Sequence, residues 1–190
     1  MKNKDLVFIT GNQHKADYLA KWLGLPVQHR KVDLDEIQSL DSHEVVEHKA
    51  RQAYEIVKQP VLVEDVSLTF TALGRLPGTF IKWFLEELGL DGLCKLAAGL
   101  EHQGAVCSIV YALFDGETIE YFEARQSGTI APEPRGDGGF GWNAIFVPEG
   151  STITYGEMDE ATFKEWNIRA HAIEKLRDFL TNNYNGLCLE

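Results

Sequence analysis

Apolar residues along this chain fall first into short unbroken blocks and helical stripes, and later into longer runs. Residues 6–9 (Leu6-Val7-Phe8-Ile9) and 60–63 (Pro60-Val61-Leu62-Val63) are continuous apolar stretches, the pattern of strands buried on both faces. After the first comes a helical period, with Ala16, Leu19, Ala20 and Leu23 at i, i+3, i+4 and i+7. Residues 27–32 form a weaker second strand. Asp41-Ser42-His43-Glu44 has capping-box spacing ahead of a stripe of Val45, Val46, Lys49, Ala50, Ala53, Ile56 and Val57. Residues 80–88 and 93–100 predict two short helices with Gly89 as the stop between them. Residues 105–114 and 118–124 read as strands joined at Asp115-Gly116, a hairpin signal. A Pro/Gly-rich loop over 132–141 precedes a short strand at 144–147. From Asp159 to about Asn182 the spacing predicts one long helix, burying Phe163, Trp166, Ala170, Ile173, Leu176 and Leu180. Helix and strand alternate first and antiparallel strands follow, so the expected fold class is α/β with a mixed sheet.

Composition narrows what such a fold is for. The 190 residues suit a single domain, and no repeat or Pro/Ser-rich linker divides them. With 18 Lys+Arg against 29 Asp+Glu the net charge is −11, which argues against a nucleic-acid polymer as partner. A small phosphorylated ligand needs only a few cations in one place and stays open. The three cysteines, Cys94, Cys107 and Cys188, are widely spaced and form no CxxC, which reads as reduced thiols in a cytoplasmic protein. The N-terminal apolar run is too short for a signal peptide, and no stretch approaches a membrane span. Residues 186–190 read as a frayed tail.

Three segments carry candidate chemistry. Thr10-Gly11-Asn12-Gln13-His14-Lys15 lies at a strand-to-helix junction. Gly11 allows close backbone approach, the helix start offers unpaired N–H groups, and Lys15 adds a cation one turn in. The arrangement is a phosphate cradle, or simply a βα turn capped by Asn12; it is not a Walker A loop. Glu64-Asp65 ends the second apolar block, where open α/β sheets place ligands, and paired carboxylates there suit Mg²⁺. The bland alternative is a solvated turn. Residues 136–141 satisfy GxGxxG but follow Pro132 and Pro134 and precede no helix, so dinucleotide binding is rejected. Phe140 and Trp142 could stack on a base from that loop or anchor it in the core. The histidines show no metal spacing, and His171 beside Arg169 and Lys175 reads as a solvated cationic face. No GxSxG elbow is present, so a serine nucleophile has no support.

Together these segments resemble a known family. Thr10-Gly11-Asn12 with Lys15, Val61 to Asp65, Ala72-Leu73-Gly74-Arg75-Leu76-Pro77-Gly78, Ile81-Lys82-Trp83-Phe84 and Phe140-Gly141-Trp142 occur in the order found in the inosine/xanthosine triphosphate pyrophosphatases. The resemblance spans nearly the whole chain and is nearest the eukaryotic inosine triphosphatase branch. It implies an elongated mixed β-sheet with flanking helices, two lobes around a central nucleotide cleft, and a homodimer. It further implies Mg²⁺-dependent hydrolysis of a nucleoside triphosphate to monophosphate and pyrophosphate. By position, Thr10, Gly11, Asn12, Lys15 and Lys49 would hold the phosphates. Glu36 and Asp65 would bind the metal, with Asp65 activating water and Glu64 supporting it. Val66, Ser67 and Lys82 would line the nucleotide site, while Phe140, Gly141, Trp142, Asn143 and Arg169 would sit at the base.

Two departures from the family pattern fall on base recognition. Gly141-Trp142 is followed by Asn143-Ala144 where the family has Asp-Pro, and Asn167-Ile168-Arg169 stands where the family has Ser-His-Arg. Lys164 is also out of register, because Phe163 takes the aligned position. The phosphate and metal residues are intact. The expectation is therefore an active pyrophosphohydrolase for ITP, dITP or XTP with a shifted or relaxed base preference; the alternative is a nucleotide-binding sensor that keeps the site without turnover.

Overall fold

The computed structural model describes residues 6–24 and 27–183, so the expectations for Cys188, the first five residues and the tail lie outside the described residues. The order of elements is β1 (Val7–Ile9), α1 (Gln13–Leu23), β2 (Gln28–Arg30), α2 (Ser42–Val57), β3 (Val61–Phe70), β4 (Pro77–Gly78), α3 (Ile81–Ala98), β5 (Gly104–Phe114), β6 (Ile119–Ile130), β7 (Phe146–Pro148), α4 (Glu160–Trp166) and α5 (Ile168–Asn183). Among the described residues the sheet has seven strands, ordered β2-β1-β3-β5-β6-β7 with β4 on β3. Strands β2 and β3 lie parallel to β1, whereas β4 on β3 and β7 on β6 are antiparallel. The expected mixed α/β class is what the chain adopts. No described helix is long and apolar enough to cross a membrane.

The chain divides into two compact units. The first holds the residues up to Asp65, Val110–Glu123, and those from Arg169 on; the second holds Val66–Ile109 and Ala124–Ile168. In the first unit α2 buries Val46, Ala50 and Ala53 against Val7 and Ile9 of β1, Val61 and Val63 of β3, and Val110, Ala112 and Phe114 of β5. These strand residues alternate in sequence, as a pleated strand requires of one face. The intervening residues Phe8, Leu62, Tyr111 and Leu113 are buried as well, which is why each strand reads as an unbroken apolar run.

Several boundaries differ from expectation for local reasons. Asp41 does cap α2, accepting the His43 N–H at 2.9 Å. Glu44, however, accepts from the Ser39 hydroxyl at 2.7 Å, and Ser39 takes the Asp41 N–H, so no reciprocal box forms. Ile56 is half exposed, not part of the buried stripe. The two helices predicted around Gly89 are present as α3, broken at Gly89 by a φ of 64° that glycine tolerates. The hairpin between β5 and β6 also stands, but through a four-residue turn in which Asp115 N–H reaches the Thr118 carbonyl at 3.4 Å.

The single helix expected from Asp159 is instead two. Asp159 caps α4, accepting the Thr162 N–H at 2.8 Å, but Asn167 adopts an extended conformation at φ −79° and ψ 128°. The Tyr155 hydroxyl donates to the Trp166 carbonyl at 3.0 Å and so satisfies an acceptor that a continuous helix would have used internally. Phe163 and Trp166 are half-buried, whereas Ile168, Ala172, Ile173, Leu176 and Leu180 are buried on α5. Cys94 and Cys107 are buried free thiols, and burial pushes Cys107 up to about 12.

Candidate active site

Strand β3 is ten residues long, so Glu64 and Asp65 stand in its middle and not at its end as the sequence suggested. What ends near them is the pairing with β1. The register couples Val7 to Val61 and Phe8 to Leu62, and β1 stops at Ile9. Beyond that point β3 runs on while the chain of β1 turns away through Thr10-Gly11-Asn12 into α1. The carboxylates therefore occupy the carboxyl end of β1's territory, where parallel sheets leave room for ligands. In the Thr10–Asn12 turn, Thr10 Oγ1 accepts the Asn12 N–H at 3.1 Å, and Asn12 Oδ1 accepts the Lys15 N–H at 3.4 Å, capping α1. A Cβ at position 11 would lie 3.3 Å from the Lys31 side chain, which would have to give by a few tenths of an ångström.

Because consecutive strand residues face opposite sides, Glu64 and Asp65 are neighbours in sequence but not partners. Glu64 turns toward Lys15 of α1 and Arg169 of α5. Its Oε2 accepts from Arg169 Nη1, and its Oε1 lies 2.8 Å from Lys15 Nζ. That second contact is an ion pair with the partly exposed Lys15 ammonium. Arg169 Nη1 also donates to the Tyr111 hydroxyl at 3.3 Å. Asp65 turns the other way, toward α2. Lys49 Nζ lies 3.2 Å from Asp65 Oδ1 and 3.2 Å from Glu36 Oε1. Lys49 occupies the buried stripe of α2, four residues from both Val45 and Ala53.

Burial and charge set the ionisation of these groups. Burial alone would raise the Glu64 carboxyl, but the charges of Arg169 and Lys15 outweigh it and bring it down to about 2. Burial works against the charged guanidinium too, and Glu64 and Tyr111 together keep Arg169 above its ordinary range. At Asp65 burial prevails, and the carboxyl is raised despite Lys49 and Lys15. Burial, then the Glu64 charge, pushes the Tyr111 phenol well above its usual value.

Glu36 and Asp65 also pass a test for a divalent cation. Asp65 Oδ2 is buried without a hydrogen-bond partner, and the two carboxylates already converge on one ammonium. A hard oxygen pair of this kind fits Mg²⁺, which takes one or two carboxylates and completes its shell with phosphate oxygens and water. Among the described residues there is no set of three or more His, Cys, Asp and Glu arranged as a metal cage.

Thr10, Gly11, Asn12, Lys15, Glu36, Lys49, Glu64, Asp65 and Arg169 all belong to the first unit. The expectation that Arg169 shares a solvated face with His171 is wrong: His171 is exposed, whereas Arg169 is 7% exposed and pairs inward. Its spacing of i, i+4 and i+7 with Ile173 and Leu176 was the signal. Tyr111 was missed altogether; a hydroxyl-bearing aromatic inside the apolar run of β5 was the available clue. Ser67, Lys82, Phe140, Gly141, Trp142 and Asn143 belong to the second unit. There the Ser67 hydroxyl is 2.6 Å from that of Ser108, and exposed Lys82 lies 4.9 Å from the Trp83 ring. Trp142 is buried, 5.7 Å from Phe146 and 6.4 Å from Tyr155, which is the loop-anchoring alternative. Phe140 is half-buried, its carbonyl taking the Asn143 N–H at 3.4 Å, while Asn143 is buried and accepts the Gly156 N–H at 3.0 Å. Gly141 is exposed with a φ of 67°, which glycine alone adopts without strain.

The fold and the site define a mixed α/β protein with a buried array of cations and carboxylates just past the end of a parallel strand. Comparison with known proteins takes this further. The model of the Ham1 family matches residues 6–179, and the chain belongs to that family. It is 43% identical over 180 residues to the inosine triphosphate pyrophosphatase of Yarrowia lipolytica, covering 92% of this chain and 95% of that protein. It is 40% identical over 186 residues to the inosine triphosphate pyrophosphatase of Schizosaccharomyces pombe, covering 96% and 98%. Among solved structures, a HAM1 protein from Coxiella burnetii superposes with a TM-score of 0.82 at 25% identity, covering 93% of this chain and 98% of the other. The Staphylococcus aureus Ham1 protein shares the fold at a TM-score of 0.80 and 20% identity, with 93% and 98% covered.

Proposed function

We propose that this chain hydrolyses a non-canonical purine nucleoside triphosphate, of the ITP, dITP or XTP type, to the monophosphate and pyrophosphate. The observation that carries this reading is the array at the end of β1, where Lys15 and Lys49 reach the two faces of one carboxylate pair. Its relatives at about 40% identity, named inosine triphosphate pyrophosphatases, supply the substrate class. Displacement at phosphorus needs mainly positioned cations around spreading negative charge, and the first unit supplies them. The start of α1, with the Lys15 ammonium, would receive phosphate oxygens, the Gln13 and His14 N–H groups lying between the capped Asn12 and Lys15. Glu36 and Asp65 would hold Mg²⁺, which when bound offsets charge on the phosphates. Asp65, raised by burial, is the stronger base of the pair and takes the proton from the attacking water. Glu64, fully ionised between Lys15 and Arg169, holds those cations in place instead of moving protons.

By the family resemblance the base contacts would fall to Phe140, Gly141, Asn143 and Lys82, and the active species would be a homodimer in the cytoplasm. The Asn143 and Ile168 replacements favour a relaxed preference among bases, because a pocket without a matched partner for the 6-oxo edge discriminates weakly. A panel of ITP, XTP, dITP and the common nucleotides, assayed for pyrophosphate with Mg²⁺, tests both points. ITP turnover is expected, with GTP hydrolysed at an appreciable fraction of that rate. Asp65→Asn should lower kcat by about 100-fold or more while preserving the fold. Full activity in that variant would remove Asp65 as the base, and nucleotide binding without pyrophosphate release in the wild type would favour the sensor reading.

A further inference from the structure

Tyr111 has no place in the reading above, yet it is 1% exposed, lies in β5, and its hydroxyl meets the guanidinium that holds Glu64. We propose that Tyr111 is a positioning residue: by engaging Arg169 Nη1 it keeps the guanidinium on one oxygen of Glu64 and so leaves the other to Lys15. The two Glu64 oxygens are divided, Oε2 to Arg169 and Oε1 to Lys15. A guanidinium beside a carboxylate ordinarily takes both oxygens in a parallel fork. Here one Nη1 serves two acceptors, Glu64 Oε2 and the Tyr111 oxygen. Bound at the phenol, Nη1 is tied to the floor of the site, and the fork does not close over Oε1.

Lys15 is the vulnerable member of the set. Its partly exposed side chain meets Oε1 through one ammonium at 2.8 Å, whereas the Arg169 side chain is 8% exposed and is held by both Glu64 and Tyr111. If both cations reach for the same oxygen, the guanidinium fork prevails and the lysine swings away. The Lys15 side chain is 28% exposed and lies one turn beyond the Thr10–Asn12 loop, so where its ammonium rests decides what it can touch there. The array thus runs from Tyr111 in the interior, through Arg169 and Glu64, to Lys15 at the mouth, all within the first unit. That a displaced Lys15 weakens substrate binding rests on the proposed function; that Tyr111 places Lys15 does not.

Tyr111→Phe removes one oxygen and keeps the ring, including its contact with Phe8 at a centroid separation of 6.3 Å. The purified full chain, wild type and variant, is acylated with a limiting amine reagent at one pH, and the rate at Lys15 is read by mass spectrometry against the other lysines. The expected result is a rise of about threefold or more at Lys15 alone, with the thermal midpoint nearly unchanged. Steady-state assays with ITP should then show KM raised several-fold and kcat within about twofold, the split expected of a displaced binding cation. In an Arg169→Lys background no fork exists, and adding Tyr111→Phe should leave Lys15 labelling as it was. Unchanged labelling in folded Tyr111→Phe, or an equal rise in the Arg169→Lys background, overturns the proposal. Absence of ITP hydrolysis in the wild type would overturn the proposed function, and the labelling comparison would still decide the role of Tyr111.

Discussion

At the scale of single residues, the site depends on charges that could not be buried separately. Arg169 and Glu64 are 7% and 8% exposed, and each offsets much of the cost of burying the other's charge. Such a pair adds little net stability, because desolvation of both ions offsets their attraction, but removing one partner leaves the other charged and unsolvated. Arg169→Ala is therefore expected to cost about 3–5 kcal/mol, measured by urea unfolding at neutral pH. Lys15 alone is too exposed to compensate. A loss below about 1 kcal/mol would mean that water or another donor replaces the guanidinium. Part of this was legible in the chain: the carboxylate pair stood out because it follows an apolar block, Lys15 because it lies one turn into a helix after Thr10-Gly11-Asn12, and Lys49 through the family resemblance. That Glu64 and Asp65 would serve opposite faces was hidden, because the strand continues through them to Phe70, and apolar residues on both sides gave no sign of where pairing with β1 ends.

At the scale of elements, turns are decided by side chains that replace backbone partners. Asp115 Oδ1 accepts the Glu117 N–H at 3.0 Å, the Thr118 N–H at 2.9 Å and the Thr118 hydroxyl at 3.3 Å, closing the turn between β5 and β6. Partial burial would raise the Asp115 carboxyl, and these donors together hold it below its usual range. A carboxyl lowered on folding stabilises the native state above the unfolded value, near pH 4, and loses that contribution as pH falls through the lower folded value. Asp115→Ala should cost about 1 kcal/mol at pH 6, and the gap to wild type should close toward pH 3 in parallel urea titrations. A gap that persists at low pH would place the effect in the backbone of the turn, not in the charge. The same logic explains which elements were readable. Asp115-Gly116 and Gly89 carry their own local instructions, so hairpin and helix break could be foreseen. The break at Asn167 could not, because it relies on the Tyr155 hydroxyl, which lies twelve residues earlier and has no signature in the helical period.

At the scale of the whole molecule, charge is unevenly informative. The net charge of −11 argued against a polymer of phosphates but not against one nucleotide, and the first unit shows why the distinction matters. There Lys15, Lys49 and Arg169 stand against Glu36, Glu64 and Asp65, so the array is balanced before any divalent ion arrives. The neutrality explains how an acidic chain tolerates a buried cluster of cations, and it leaves nothing in that cluster to draw a polyanion from afar. Approach of a triphosphate is then governed by the surrounding acidic surface, whose field reaches about 30 Å at 0.01 M salt but only about 8 Å at 0.15 M. For a protein that captures phosphates with a basic surface, added salt slows association; here the sign should reverse. With Mg²⁺ held constant and in excess, kcat/KM for ITP is expected to rise about two- to fivefold between 10 and 150 mM NaCl, while kcat stays level. A fall in kcat/KM over that range would mean that local attraction, including any from Lys82 of the second unit, outweighs the field of the whole chain.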